Sequence, residues 1–220
     1  MTPPSPATHA PDGSPVEFFA RFPADDEPLL IRSVIPPRCE ILDLGCGAGR
    51  LVHPLIALGH RVVAVDQSAE MLAHVVGAES VLADIEDLDL GRRFPCVLLA
   101  GNLVNLSGDE LADRFLATCA RHVDEEGTVL IQRLDPEWAL SFGNVTTERD
   151  GFTFTISEVH HDGDRIEATL TYGDGSESWQ QELSGRVLDD RGLAAMLQWN
   201  GLEMVRTLDA RGTWVQAVPA

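Results

Sequence analysis

Basic residues are scarce in this chain of 220 residues. Lysine and arginine together number 16, against 35 aspartate and glutamate residues, and the formal net charge is −19. Because such a charge repels a phosphate backbone and an anionic lipid surface, it argues against general nucleic-acid binding and against docking on a membrane. We therefore expect neither a nucleic-acid nor a membrane partner, and a protein that is a monomer or a homodimer.

Long hydrophobic runs are absent as well. No apolar run approaches the ~20 residues that span a bilayer, and the amino terminus has neither the basic nor the apolar region of a secretory signal. Residues 1–15 are rich in proline, serine, threonine and alanine, a composition that cannot bury a core. We therefore expect a disordered tail over residues 1–15 and one globular domain over residues 16–220, located in the cytoplasm.

The few cysteines do not form a metal-binding or disulfide pattern. Cys39, Cys46, Cys96 and Cys119 are far apart in the sequence and lie in apolar contexts. Reduced, partly buried thiols are the expected state. No other spacing of ligand residues supports a catalytic metal, so none is predicted.

The first two thirds of the chain alternate short apolar runs with helical segments. The runs have the length and composition of buried strands, and they lie at residues 39–44, 61–65, 80–83, 96–100 and 128–133. Strands that alternate with helices at this spacing predict a mostly parallel, doubly wound α/β sheet. Two later segments, at residues 202–208 and 213–218, bring the expected number of strands to seven, with the last one antiparallel.

The pattern changes over residues 151–187, where apolar and polar residues alternate with period two. Asp-Gly turns separate these segments, which is a strong signal for β-hairpins. We predict an antiparallel β-meander inserted after the fifth strand and lying over the substrate side. The alternative interpretation is that the meander packs on helices or forms a dimer interface.

The segment ILDLGCGAGR, at residues 41–50, combines a strand with a glycine-rich loop. Gly45, Gly47 and Gly49 allow a tight turn and close approach of a ligand to the backbone. In open α/β sheets, a loop of this type at the end of the first strand binds nucleotides. The dinucleotide motif G-x-G-x-x-G would need a glycine where this chain has Arg50. Asp43 would also repel a pyrophosphate, whereas it suits the ammonium group of a zwitterionic ligand.

This segment resembles the first motif of the class I, Rossmann-like S-adenosylmethionine (SAM)-dependent methyltransferases, and the resemblance extends over about residues 38–135. It implies a Rossmann-like fold, SAM as the cofactor and S-adenosylhomocysteine as its product. By the same resemblance Asp66 binds the ribose diol, and Asp84 and Ile85 bind the adenine ring. The implied cofactor-binding residues are Asp43, Gly45, Cys46, Gly47, Asp66, Gln67, Met71, Asp84, Ile85, Gly101, Asn102 and Leu103.

The substrate side of the site offers fewer signals. The candidate catalytic residues are His160 and His161, as bases on the meander, and Asn102, which follows the fourth strand. The alternative for the two histidines is a solvent-facing position at the end of a hairpin. Phe18, Phe19 and their neighbour Phe22 could form an aromatic lid over the cofactor or belong to the core.

The resemblance implies a SAM-dependent methyltransferase that transfers a methyl group to N or O of a small molecule. Two alternatives stay open from the residues alone. One is a SAM-binding enzyme with non-methylating chemistry, and the other is a non-catalytic, SAM-binding regulatory protein.

Overall fold

A seven-stranded sheet forms the centre of the protein in the computed structural model, which describes residues 9–108 and 110–220. Strands and helices are numbered in chain order. The strands of this sheet are β1 (Glu40–Leu44), β2 (Arg61–Asp66), β3 (Glu79–Leu82), β4 (Phe94–Leu99), β5 (Val123–Gln132), β10 (Leu202–Thr207) and β11 (Trp214–Pro219).

The strand order is β10-β11-β5-β4-β1-β2-β3. β1 to β5 are mutually parallel, and β11 runs antiparallel to both β5 and β10. The predicted α/β fold with an antiparallel last strand is therefore confirmed. Because the chain moves outward from β1 to β3 and then crosses back to β4, the gap between β1 and β4 is the topological switch point, where such sheets bind ligands.

Helices cover both faces of this sheet, as the continuous apolar character of the strands requires. In β1, Leu42 and Leu44 pack into one cluster, whereas Ile41 packs into the other. The first face is covered by α5 (Leu111–His122) and α7 (Asp190–Trp199), and the second by α2 (Glu27–Val34) and α3 (Val52–Ala57). The short α4 (Ala69–Leu72) follows β2. Among the described residues, no helix is long and apolar enough to cross a membrane.

A second, four-stranded antiparallel sheet follows β5 and the short α6 (Pro136–Ala139), which confirms the predicted insertion. Its strands are β6 (Val145–Arg149), β7 (Phe152–Asp162), β8 (Arg165–Gly173) and β9 (Ser178–Arg186). The meander predicted over residues 151–187 lacked β6. An Asp-Gly pair, Asp150 and Gly151, joins β6 to β7 with positive φ at both residues, so the hairpin signal was present one strand earlier than predicted.

The second sheet is attached to the first through the segment that follows β4. Ser107 N–H donates to the Ser184 carbonyl over 3.0 Å, and the Asn105 side chain donates to the Arg186 carbonyl over 2.7 Å. Gly185 allows this close contact, because a Cβ there would lie only 3.0 Å from the Asn105 carbonyl oxygen. Asn105 is 3% exposed and also accepts from Leu134 N–H, so one side chain joins both sheets.

In the described part of the amino-terminal region, a hydrogen-bonded turn at residues 9–15 is followed by the short α1 (Val16–Phe19). Residues 9–15 fall within the predicted disordered tail, but Ala10 N–H donates to the Ser14 carbonyl over 2.9 Å, and both residues are buried. Residues 9–15 thus form a packed turn in the structure, and the bounds of the tail and of the domain stay predictions. Residues 1–8 lie outside the described residues.

Candidate cofactor site

The glycine-rich loop after β1 is held against the end of β2. Gly45 and Cys46 N–H groups both donate to the Val65 carbonyl over 2.9 Å. Gly45 has φ +73°, and a Cβ at this position would lie 2.4 Å from the Leu103 side chain. The loop therefore needs glycine both for its backbone conformation and for the close approach of the residues after β4.

Asp43 is a buried carboxylate without a partner. It is 1% exposed, and neither of its oxygens has a hydrogen-bond partner among the described residues. Burial raises the pKa of Asp43 to about 7; the charge of Arg50 opposes the shift, and that of Asp66 adds to it. An unpartnered buried acid is costly, which is why such groups are found mainly where a ligand completes them.

Asp66 ends β2 and is oriented by the backbone around it. Its carboxylate accepts from Gly47 N–H over 2.8 Å and from Ser68 N–H over 2.9 Å. Burial raises the pKa of Asp66, and these hydrogen bonds work in the opposite direction. Each carboxylate oxygen has two lone pairs, so Asp66 can still accept from two hydroxyl groups of a ligand.

A cavity of about 310 Å³ opens at the carboxyl ends of β1, β2 and β4. All of the predicted cofactor residues except Asn102 line it: Asp43, Gly45, Cys46, Gly47, Asp66, Gln67, Met71, Asp84, Ile85, Gly101 and Leu103. The volume lies at the lower end of the range for small-molecule sites. The structure thus brings together residues from four separate segments that were selected from the sequence alone.

Residues 84–86 and the segment after β4 form another part of the cavity wall, and Ile85 and Leu103 lie close to Gly45 of the glycine-rich loop. The Thr118 hydroxyl on α5 donates to the Ile85 carbonyl over 2.8 Å, which ties this loop to the helix. Leu106 and Phe115 extend the apolar wall beside Ile85. This arrangement provides an apolar slot edged by acceptor groups, which suits a flat aromatic base.

The side chains of Gln132 and Glu27 link the segments that line the cavity to α2. Gln132 at the end of β5 accepts from Gly101 N–H over 2.9 Å and donates to Glu27 over 2.5 Å. Glu27 is also paired with the guanidinium of Arg50, a residue that lines the cavity. These contacts place a cation near Asp43 and fix the loop that follows β4.

Sequence reasoning missed several cavity residues, notably Arg50, Asp12 and Ser14. Arg50 could have been found, because it directly follows the glycines that form the loop. Asp12 and Ser14 carried no signal, since they lie in the segment expected to be disordered. Of the three phenylalanines on the amino-terminal segment, Phe19 lines the cavity, whereas Phe18 is fully buried among aromatic side chains.

The predicted catalytic residues are not brought into the cavity wall. His160 and His161 are exposed on β7, and His161 Nε2 lies 2.9 Å from the Phe142 carbonyl oxygen. Asn102 adopts a left-handed conformation, with φ +59°, between Gly101 and Leu103, which do line the cavity. As far as the structure describes it, the cavity wall therefore contains residues predicted to bind the cofactor but none of the three predicted catalytic residues.

The comparisons with known proteins agree with this geometry. Residues 41–127 match a family model described as a methyltransferase domain. The chain is 32% identical over 118 residues to a ubiquinone biosynthesis O-methyltransferase of Nitrobacter winogradskyi, covering 50% of this chain and 44% of that protein. It is 32% identical over 157 residues to a dTDP-3-amino-3,6-dideoxy-alpha-D-glucopyranose N,N-dimethyltransferase of Streptomyces fradiae, covering 66% and 60% respectively. The chain thus spans about half the length of the curated relatives it matches.

A solved structure extends the likeness to nearly the whole chain. The CcbJ methyltransferase from Streptomyces caelestis is similar with a TM-score of 0.75 at 23% identity, covering 93% of this chain and 96% of that one. At this identity the likeness shows the fold. Together with the family match over the glycine-rich loop, it confirms the resemblance to class I SAM-dependent methyltransferases.

Proposed function

We propose that this protein is a SAM-dependent methyltransferase that transfers a methyl group to N or O of a small molecule. The observation that carries the proposal is Asp43, a buried carboxylate in the wall of a nucleoside-sized cavity, neither of whose oxygens has a partner within residues 9–108 and 110–220. An anion of this kind is unsuited to a phosphate ligand and is completed by an ammonium group.

The remaining residues of the cavity fit the other parts of SAM. Arg50 offers a guanidinium for the carboxylate of the methionine moiety, and Asp66 offers acceptors for the ribose hydroxyls. Asp84 and Ile85 border the slot proposed for the adenine ring. The ammonium and the carboxylate of the cofactor thus each have a counterpart of opposite charge.

When bound, SAM supplies a methyl group on a positively charged sulfur. The contribution of this chain is to bind and orient the two reactants and to exclude water, and such positioning can lower a barrier by several kcal/mol without a base. Catalytic roles for His160, His161 and Asn102 remain predictions, because none of the three lines the cavity.

The proposed acceptor class is supported by the names of the relatives. One relative is named for methylation of an amino sugar nucleotide and the other for O-methylation in ubiquinone biosynthesis. Both names describe small molecules with a nitrogen or oxygen acceptor. We therefore propose the same broad class here, N or O of a small molecule.

The direct test is transfer of labelled methyl from SAM. Purified protein is incubated with methyl-labelled SAM and a panel of amino sugars, amines and phenols, and both labelled product and S-adenosylhomocysteine are quantified. Label in a product, in equal amount to S-adenosylhomocysteine and lost in Asp43→Asn, supports the proposal. Turnover of SAM without methylated product indicates other SAM chemistry, and binding without turnover across the panel and a metabolite extract indicates a non-catalytic protein.

A further inference from the structure

The amino-terminal turn of residues 9–15 forms part of the cavity wall. Ala10, Asp12 and Ser14 line the cavity, together with Phe19 from α1. Ala10 and Val16 pack against Ala48 of the glycine-rich loop and against Met71 of α4. The turn therefore lies over the side of the cavity where Asp66 ends β2.

Asp12 presents a carboxylate with spare acceptor capacity at this position. One of its oxygens accepts from Ser14 N–H over 3.0 Å, and the other accepts from the Ser14 hydroxyl over 2.9 Å. The Asp12 charge acts on Asp66 and raises its pKa, although burial is the larger cause. Two carboxylates that face the same space repel each other unless a hydrogen-bond donor lies between them.

The second sheet holds this turn in place. Gln181 of β9 donates through Nε2 to the Asp12 carbonyl over 3.2 Å and to the Ser14 hydroxyl oxygen over 3.3 Å. The hydroxyl of Tyr172 donates to Gln181 Oε1 over 3.1 Å, which orients the amide with its NH₂ group toward the turn. Burial raises the pKa of Tyr172, so it remains a donor at physiological pH.

We propose that the turn of residues 9–15 belongs to the cofactor site, with Asp12 accepting a hydrogen bond from the adenosyl ribose beside Asp66. The ribose carries two adjacent hydroxyl donors, which matches the two carboxylates. In this arrangement the second sheet serves cofactor retention, because Gln181 positions the turn. The inference rests on the proposed function, since it requires an adenosyl ligand in the cavity.

The test compares two ligands by calorimetry with the full-length protein. S-adenosylhomocysteine carries the adenosine and an amino-acid moiety, homocysteine, whereas 5′-methylthioadenosine carries the adenosine without the amino acid. Asp12→Asn keeps the acceptor for Ser14 N–H and is expected to weaken both ligands five- to tenfold, the loss of one charge-assisted hydrogen bond. Asp43→Asn, in contrast, is expected to weaken only S-adenosylhomocysteine.

Gln181 and its neighbour Gln180 form a matched pair for the role of the second sheet. Gln181→Leu is expected to weaken both ligands at least fivefold, whereas Gln180→Leu, at an exposed position on β9, leaves both within twofold. Melting temperatures of the apo variants show whether each one is folded.

Three results would overturn the inference. If Asp12→Asn binds both ligands as the parent does, the turn is not part of the ribose site. If Asp12→Asn leaves both affinities unchanged but alters the KM or kcat for the methyl acceptor, Asp12 faces the substrate and not the ribose. If the parent protein binds neither ligand, the proposed function itself is wrong and the inference fails with it.

Discussion

The two sheets of this protein are stabilised by different kinds of core. The parallel sheet is packed on both faces by aliphatic side chains of its own strands and covering helices. The second sheet packs around Phe18, a fully buried residue contributed by α1 from outside the sheet. Its neighbours include Tyr172, at a ring-centroid distance of 4.7 Å, and Phe154, at 5.5 Å.

The cavity opens at the edge of the parallel sheet, and its wall also includes residues of the amino-terminal segment; among the described residues, none from the strands of the second sheet lines it. The carboxylates Asp43 and Asp66 come from the ends of parallel strands, where the backbone fixes their position. The cover comes from residues 9–19, which the second sheet holds. The comparison shows that the Asp43 and Asp66 carboxylates belong to the parallel sheet, whereas the second sheet contacts the amino-terminal segment that lines the cavity. We propose that the second sheet affects ligand access and retention through this segment.

The largest effect is expected from replacing Phe18, because this change affects the core of the second sheet and not that of the parallel sheet. Phe18→Ala deletes the ring at the centre of the aromatic cluster and is expected to lower the free energy of unfolding by about 3–5 kcal/mol. Urea unfolding measures the loss. Leu29→Ala on α2 is the control, because Leu29 is 55% exposed and its loss is expected to be small. A loss below about 1 kcal/mol for Phe18→Ala would show that the second sheet does not depend on α1.

A smaller effect is expected in the parallel sheet, on ligand binding. Asp66→Asn keeps a neutral acceptor for one backbone N–H but loses the charge offered to the ribose, so we expect binding of S-adenosylhomocysteine to weaken by roughly 1.5–3 kcal/mol. Asp89→Asn is a matched control: Asp89 is an exposed carboxylate that also accepts from the N–H two residues ahead, over 2.8 Å. Equal affinities of the two variants would exclude Asp66 from the ligand site.

Asp43 provides a pH-dependent test of the parallel-sheet region. Its pKa is about 7 in the folded protein, against an ordinary value of 3.8. Between these pH values the unfolded chain releases a proton that the folded protein keeps, so the free energy of unfolding falls as pH rises from about 4 to about 7. Asp43→Asn removes this cost, and we expect the apo variant to be roughly 1–3 kcal/mol more stable than the parent at pH 8.

The same variant includes its own control, because Asp43 is neutral in both folded and unfolded states well below pH 4. The stability difference between Asn and Asp is therefore expected to shrink as the pH falls toward 4. Chemical denaturation of the ligand-free proteins across this range measures it. A difference that does not change with pH would mean that Asp43 is ionised and already compensated in the folded protein.

The smallest effect is expected on the second sheet, at His160. Because His160 is exposed, His160→Ala is expected to change the free energy of unfolding by less than about 0.5 kcal/mol, so its turnover tests the predicted role as a base without a loss of fold. His161→Ala is the companion variant and loses the contact with the Phe142 carbonyl. A fall in turnover of roughly a hundredfold or more in either variant would identify a general base, and unchanged turnover in both would contradict the predicted role.

The sequence predicted the parallel sheet, and the residues that line the cavity at its edge, for a physical reason. Buried parallel strands are continuous apolar runs, and the cavity residues lie at or just after their carboxyl ends, as Asp66 does at the end of β2. The contacts that hold the second sheet join residues distant in sequence, as Gln181 and Asp12 do, and no local pattern encodes them. For the same reason, the order of residues 9–15 could not be predicted from their composition.

The central claim is that Asp43 receives the ammonium group of an adenosyl amino acid. The most direct measurement is the affinity for S-adenosylhomocysteine at pH 6 and pH 8, for the parent and for Asp43→Asn. Because Asp43 must be ionised to accept the ammonium group, the parent is expected to bind about tenfold more weakly at pH 6 than at pH 8. The variant is expected to bind more weakly at pH 8, with little change between the two pH values. Equal affinity of parent and variant at both pH values would contradict the account.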